Sequence, residues 1–441
     1  MHATRVVLLA CAAGLLAGCG GQSDAQKAAE EFARPLDCRH VKQTTLRVSE
    51  CVRRPAVGSL SGKTATTHRA VRKVSCKTRL QANFYAANDW LSLAAALAKH
   101  ASPCAEYYIS IPPVQGPEGT WTIPRPGEAK KIRHFGPNFH AMAAVRVWAW
   151  ANWVKKHKKS WYDAGVLARK RMIGAGYSFT LGDIWAVNEF PITLPDSKSQ
   201  KKAMTEFVRG LYEGGRHEQH RRGLVWRVVP FQDATGAELG RPQVKAWLKD
   251  DSFWRAMSKY VSIWSSEVFA FPSASCTGSL AERAANVTDY LNALALLAEH
   301  EKGKGMMARN YLRRAYSPLE NAAWQWTFGF GITTIPAEQM AKFVSLQVYS
   351  SAKFAQSHPE LQTPVRLGFA WAPNQQHLSK ETFARGNELI LERMSTALHD
   401  TITPDGLHPA RACGRDGRDC MCNYPGAELN PTWLSFARSS D

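Results

Sequence analysis

One feature constrains this chain more than any other: a repeating rhythm between about residues 80 and 400. Short apolar runs, each stopped by Pro, Gly or Asn, alternate with longer stretches of helical period. The spacing predicts strands at Leu80–Ala86, Tyr107–Ile111, Phe139–Trp150, Asp183–Phe190, Gly223–Phe231, Val268–Phe271, Trp324–Ile332 and Val365–Trp371. It predicts helices at Trp90–His100 (capped by Asn88 or Asp89), Ser160–Ala175, Ser197–Tyr212, Pro242–Val261, Leu280–Glu301, Met306–Ala315, Pro336–Gln356 and Ser379–His399.

Such alternation implies parallel strands joined by right-handed crossovers. A closed (β/α)8 barrel needs about 250 residues, more with insertions. Residues 79–402 fit that, so the expected class is α/β, a TIM-type barrel. A doubly wound open sheet is the alternative, but no Gly-rich phosphate loop follows a strand. Gly329-Phe330-Gly331 lacks the third Gly and the acidic partner that a dinucleotide fingerprint requires. No cofactor is expected.

The N-terminus reads as an export signal. Arg5 precedes an apolar run from Val6 to Gly18, too short to span a bilayer. Leu16-Ala17-Gly18-Cys19 matches a bacterial lipobox, which implies removal of residues 1–18 and a lipid on Cys19. Residues 19–78 then form a basic tether and N-terminal segment, and residues 403–441 a Cys-containing tail. The expected place is the extracellular or periplasmic face of a membrane, with a monomer held there by its lipid.

Export makes disulfides the natural reading of cysteine. Beyond Cys11 and Cys19 stand Cys38, Cys51, Cys76, Cys104, Cys276, Cys413, Cys420 and Cys422. Proximity suggests Cys38–Cys51, Cys76–Cys104, and Cys413 with Cys420 or Cys422. Cys-X-Cys without a nearby His is poor zinc spacing, so no metal is expected. The formal net charge of +19 points to anionic surroundings. For an exported chain those are envelope polymers or lipid head groups, not nucleic acid. The densest basic run is Lys155-Lys156-His157-Lys158-Lys159.

In a barrel of this kind, chemistry sits where strands end. The fourth predicted strand ends in Asn188-Glu189, within Trp185-Ala186-Val187-Asn188-Glu189-Phe190-Pro191. The eighth ends in Trp371, within Gly368-Phe369-Ala370-Trp371-Ala372-Pro373. A glutamate closing an apolar strand is partly withdrawn from water. It keeps its proton to higher pH, as protonating a leaving oxygen requires.

These two motifs resemble the largest clan of glycoside hydrolases, clan A. The resemblance implies Glu189 as general acid/base, Asn188 on a sugar hydroxyl and Trp371 as the floor of the sugar pocket. Tyr108, Gln325 and Trp326 are further candidate substrate contacts. The clan's second carboxylate ends strand seven, and the predicted strand there, around Trp324-Gln325-Trp326, carries no acid. Glu320 precedes it, Glu338 follows it, and Glu267 stands at the start of predicted strand six. Glu267 and Glu320 are the second catalytic candidates. The expected function is a glycosidase-like barrel acting on a polysaccharide or anionic envelope polymer. The alternative is a binding barrel without a complete carboxylate pair. The stretches Ser317–Trp326 and Gly368–Pro373 also resemble secreted actinobacterial-type proteins, which implies an exported barrel and no particular activity. His140, within an apolar run, reads as a core histidine, and His217-Glu218-Gln219-His220 as a basic loop.

Overall fold

A computed structural model describes residues 74–86, 88–116, 121–191, 198–217, 220–228, 250–268, 316–320, 337–357, 359, 364–371, 373, 378–409, 413, 414 and 420. The fold lies in the compact unit Cys76–Asp441. Its central strands are β1 (Leu80–Ala86), β2 (Ala105–Ile111), β3 (Phe139–Val145), β4 (Ile184–Pro191), β5 (Gly223–Val228), β6 (Val261–Val268), β7 (Tyr316–Glu320) and β8 (Val365–Trp371). Each is parallel to its neighbours, and they hydrogen-bond in chain order into a closed barrel. The seam is direct: Leu80 is level with Ala105 of β2 on one side and Val365 of β8 on the other. The α/β, parallel-barrel expectation therefore holds.

The helices are α1 (Trp90–Lys99), α2 (Glu128–His134), α3 (Ala151–His157), α4 (Trp161–Gly174), α5 (Lys198–Glu213), α6 (Asp251–Tyr260), α7 (Ala337–Ser357) and α8 (Lys380–Thr401). The predicted helices at 280–301 and 306–315 lie outside the described residues. A two-stranded sheet, Val114–Gln115 with Trp121–Ile123, follows β2. Among the described residues no helix is long and apolar enough to cross a membrane.

Why these runs become strands is visible in β1. Leu80, Ala82, Phe84 and Ala86 are fully buried on one face, and Phe84 stacks on Phe369 of β8 at 5.7 Å. Gln81, Asn83 and Tyr85 alternate with them and so take the other face. All seven residues of β3 are buried, as expected of a parallel strand covered on both sides.

Local caps start the helices. Ser160 and Asp163 form a reciprocal capping box at α4, and Ser379 accepts from the Thr382 N–H at α8. The expected cap on α1 is corrected. Asp89 precedes the helix in the left-handed region (φ 51) but makes no side-chain capping bond. Its carboxylate instead accepts from Asn387 Nδ2 of α8 at 3.3 Å. Helices α4 and α5 cross at two glycines: a Cβ on Gly165 would lie 2.1 Å from the Phe207 carbonyl oxygen, and one on Gly210 2.3 Å from that of Tyr162.

Three boundaries differ from the expectation. The third apolar run divides, Phe139–Val145 being strand and Val147–Trp150 a 3-10 turn. Strand six is Val261–Val268, following α6 with no connecting residue. Its serines break the apolar pattern, so it reads as the end of the helix. The seventh barrel strand is Tyr316–Glu320, and the predicted run Trp324–Ile332 lies outside the described residues. Its Pro318 lacks an N–H and argues against a central strand, yet Pro318 sits level with Ser266 in the ladder to β6.

Two disulfides lie among the described residues. Cys76–Cys104 joins the residues just ahead of β1 and β2, as proximity suggested. Cys413 pairs with Cys420 and packs on Leu346 and Tyr349 of α7. Cys19, Cys38, Cys51, Cys276 and Cys422 lie outside the described residues.

Candidate active site

Parallel strands present all their C-terminal ends at one mouth, where chemistry in a barrel of this kind sits. An apolar layer from Met142, Ile184, Ala186, Leu224, Ile263 and Ala370 fills the barrel, with Tyr85 and Tyr108 packed against it. Toward the C-terminal ends stand Asn188 of β4, Trp226 of β5 and Ser265 of β6. Asn188 is buried at 7 % exposure and donates from Nδ2 to the Tyr85 hydroxyl at 3.4 Å. Tyr85 in turn presents its ring edge-on to Trp226 at 5.1 Å. Asn188 Oδ1, Trp226 Nε1 and Ser265 Oγ are buried and have no hydrogen-bond partner among the described residues. Unpaired polar atoms of this kind cost stability, about 1–3 kcal/mol each, and mark a place shaped for something polar.

The loops above the strands are tied together. Asn88, after β1, donates to the Pro373 carbonyl beyond β8 at 2.8 Å. Beside it, burial pushes the Asp89 carboxyl up to about 6, against opposing hydrogen bonds from Ser92 and Asn387. Sequence reading took Asp89 only as a cap. The signal for an acid near neutrality is its burial by tertiary packing, which a local pattern does not contain.

The carboxylate candidates can be placed by backbone. Glu189 follows Asn188 in β4. Glu267 is the penultimate residue of β6, so the expectation that it starts that strand is corrected. Glu320 is the last residue of β7, level with Val268 of β6 and Phe369 of β8. The expectation that strand seven carries no terminal acid is thereby corrected too. Glu189, Glu267 and Glu320 all belong to the C-terminal half of their strands. Gln325 and Trp326 lie outside the described residues.

Two aromatic candidates stand elsewhere than expected. Trp371 is fully buried and shares, by alternation, the strand face of Leu367 and Phe369. As placed it closes the wall between strand and helix and offers no open face for a sugar to lie on. Tyr108 lies deeper in the barrel, its ring 5.0 Å from His140. Burial first, then the nearby Glu106 charge, pushes its hydroxyl up to about 12. Arg366, buried near it, is pulled down to about 10 by desolvation.

No protein-family model and no curated protein matches this chain. Among the described residues no cluster of His, Cys, Asp and Glu could hold a metal ion. The rings of His217 and His220 lie tilted to one another at 5.2 Å, and His220 Nε2 meets the Gly215 carbonyl at 3.2 Å.

Proposed function

We propose that this chain is an exported, lipid-anchored surface protein whose (β/α)8 barrel hydrolyses a polysaccharide. Residues 1–18 are its signal, Cys19 carries the lipid, and residues 19–78 tether the barrel. Glu189 is the general acid/base and Glu267 the second carboxylate. The supporting observation is the pairing of strand ends: Asn188-Glu189 lies in the C-terminal half of β4 and Glu267 is the penultimate residue of β6, at the same mouth. The ladders set Glu267 level with Leu319 and Gly368, in the row of Ala370 that faces the barrel, whereas Glu320 is level with Phe369 on the helix side.

The chemistry follows from two carboxyl groups on opposite sides of one bond. Glu189 gives its proton to the glycosidic oxygen as the bond to the anomeric carbon breaks. Glu267 forms an ester to that carbon. Water, giving its proton back to Glu189, then attacks the same carbon and frees Glu267. Asn188 holds a neighbouring hydroxyl, using the carbonyl oxygen that has no hydrogen-bond partner among the described residues. Tyr85 fixes the Asn188 amide from the other side.

The test is release of reducing ends from a glycan panel by the mature chain and by Glu189→Gln and Glu267→Gln. Loss of turnover in both variants is expected, by about 10²–10⁴-fold for the proton donor. Turnover unchanged by Glu189→Gln overturns the proposal. For the anchor, the Cys19→Ala chain should leave the membrane fraction.

A further inference from the structure

The basic run singled out in the sequence sits at a telling place. It follows β3, whose Val145 is level with Val187 of β4. The segment therefore leaves the barrel beside Asn188, at the mouth. Its course is Arg146, the turn Val147–Trp150, helix α3, then Lys158 in the left-handed conformation and Lys159. Lys155, Lys156, His157, Lys158 and Lys159 are all exposed.

These charges are not neutralised nearby. From Phe139 to Tyr162 the sequence holds no acidic residue. Lys155, Lys156 and Lys158 form no ion pair with a described residue. The first carboxylate, Asp163, is taken by the Ser160 hydroxyl and N–H, which hold it below the usual range, with Lys159 adding to the effect.

Flat aromatic surface lies among the lysines. Trp148, Trp153 and Trp161 are each partly exposed. Trp153 is edge-on to buried Trp150 at 6.0 Å and tilted over His157 at 5.1 Å, and Trp148 meets Trp161 edge-on at 5.6 Å. Rigid rings with unpaired cations around them match a chain of sugars that carries negative charge: rings for the apolar sugar faces, lysines for carboxylates or phosphates. A lipid surface is a poorer fit. The exposed large apolar side chains among the described residues are Val74 and Leu181, neither of them on this segment. Nothing here projects to enter a bilayer.

We propose that residues 146–161 form a binding surface for a polyanionic polysaccharide, feeding the mouth beside Asn188. This rests on the glycosidase reading for its purpose and narrows the substrate class to acidic glycans. The experiment uses the mature chain, with polygalacturonate as carboxylated probe, dextran as neutral probe and phosphatidylglycerol vesicles as the lipid surface. Variants are Lys155→Gln/Lys156→Gln/Lys158→Gln, Trp153→Ala and Glu189→Gln, each checked for an unchanged melting temperature.

Expected are binding to polygalacturonate but not dextran, a loss of tenfold or more in the lysine variant with a shallower salt dependence, and a smaller loss in Trp153→Ala. Glu189→Gln should bind as the parent does, which separates the two proposals. Binding kept while every glycan stays uncut sinks the hydrolase and leaves this surface standing. Cleavage of an acidic glycan with KM unchanged in the lysine variant sinks this surface and leaves the hydrolase. Equal binding of dextran, or binding of vesicles in place of polygalacturonate, also overturns it.

Discussion

His140 Nε2 lies 2.6 Å from Glu106 Oε2 inside the barrel, joining β3 to β2 below the apolar layer. Glu106 also faces Arg79 at 3.9 Å, and Gly182 leaves room for the imidazole, since a Cβ there would fall 2.5 Å from Nδ1. The pair is thus built into the floor, at the end away from the mouth. His140→Ala removes one partner and leaves a half-buried carboxylate behind. The expected loss is about 1.5–3 kcal/mol in urea unfolding, with kcat little changed. A large fall in kcat at unchanged stability would move this pair into the chemistry.

Glu189 and Glu267 should differ in how they are rescued. In Glu267→Ala, azide can take the carboxylate's place, so the product is a glycosyl azide of inverted configuration. In Glu189→Ala, azide attacks the intermediate and the configuration is retained. Proton NMR of the products distinguishes them. Rescue of Glu320→Ala instead would assign the second carboxylate to β7.

Asp89 makes stability depend on pH in an unusual direction. Burial raises its carboxyl to about 6, so the folded chain holds a proton that the unfolded chain releases near 4. Between those values the folded state binds more protons, and stability falls as pH rises. The full effect is at most about 3 kcal/mol, reached above pH 6. Asp89→Asn should raise the melting temperature at pH 7–8, and the gain should vanish at pH 4. Asn also tolerates the positive φ at this position.

At the crossing of α4 and α5, Gly210→Ala places a methyl group against the Tyr162 carbonyl. The helices must separate, at a cost of about 1–3 kcal/mol. The measurement is thermal unfolding of Gly210→Ala against an exposed-site control such as Gly174→Ala, where nothing lies within 4 Å.

Cys76–Cys104 closes a loop with a sequence separation of 28. In the chain-entropy description, Cys76→Ser/Cys104→Ser should lower stability by about 3–4 kcal/mol. Reductant should lower the melting temperature of the parent and leave that of the double variant changed only through Cys413–Cys420 and the remaining cysteines.

Much of the frame is legible in the amino-acid order alone. Periodicity is a local property, so β1, β3, β4 and β8 and the helices at 160, 198 and 379 can be read from it. So can the place of Asn188-Glu189, because Trp185-Ala186-Val187 can only be a buried strand in this rhythm. Cys76 and Cys104 pair because each stands just ahead of its strand. What the order of residues leaves open was decided by ladders between distant segments. Pro318 is held in β7 by its neighbours on both sides, and the serines of β6 by β5 and β7. Only those pairings bring Glu267 and Glu320 to the C-terminal half of a strand. Closure also chose the sides: Ala370 faces the barrel and Trp371 the helices, which no count of tryptophans reveals. The reason is physical: a strand's own pattern sets which residues alternate, and its partners set where it stops and which face becomes the inside.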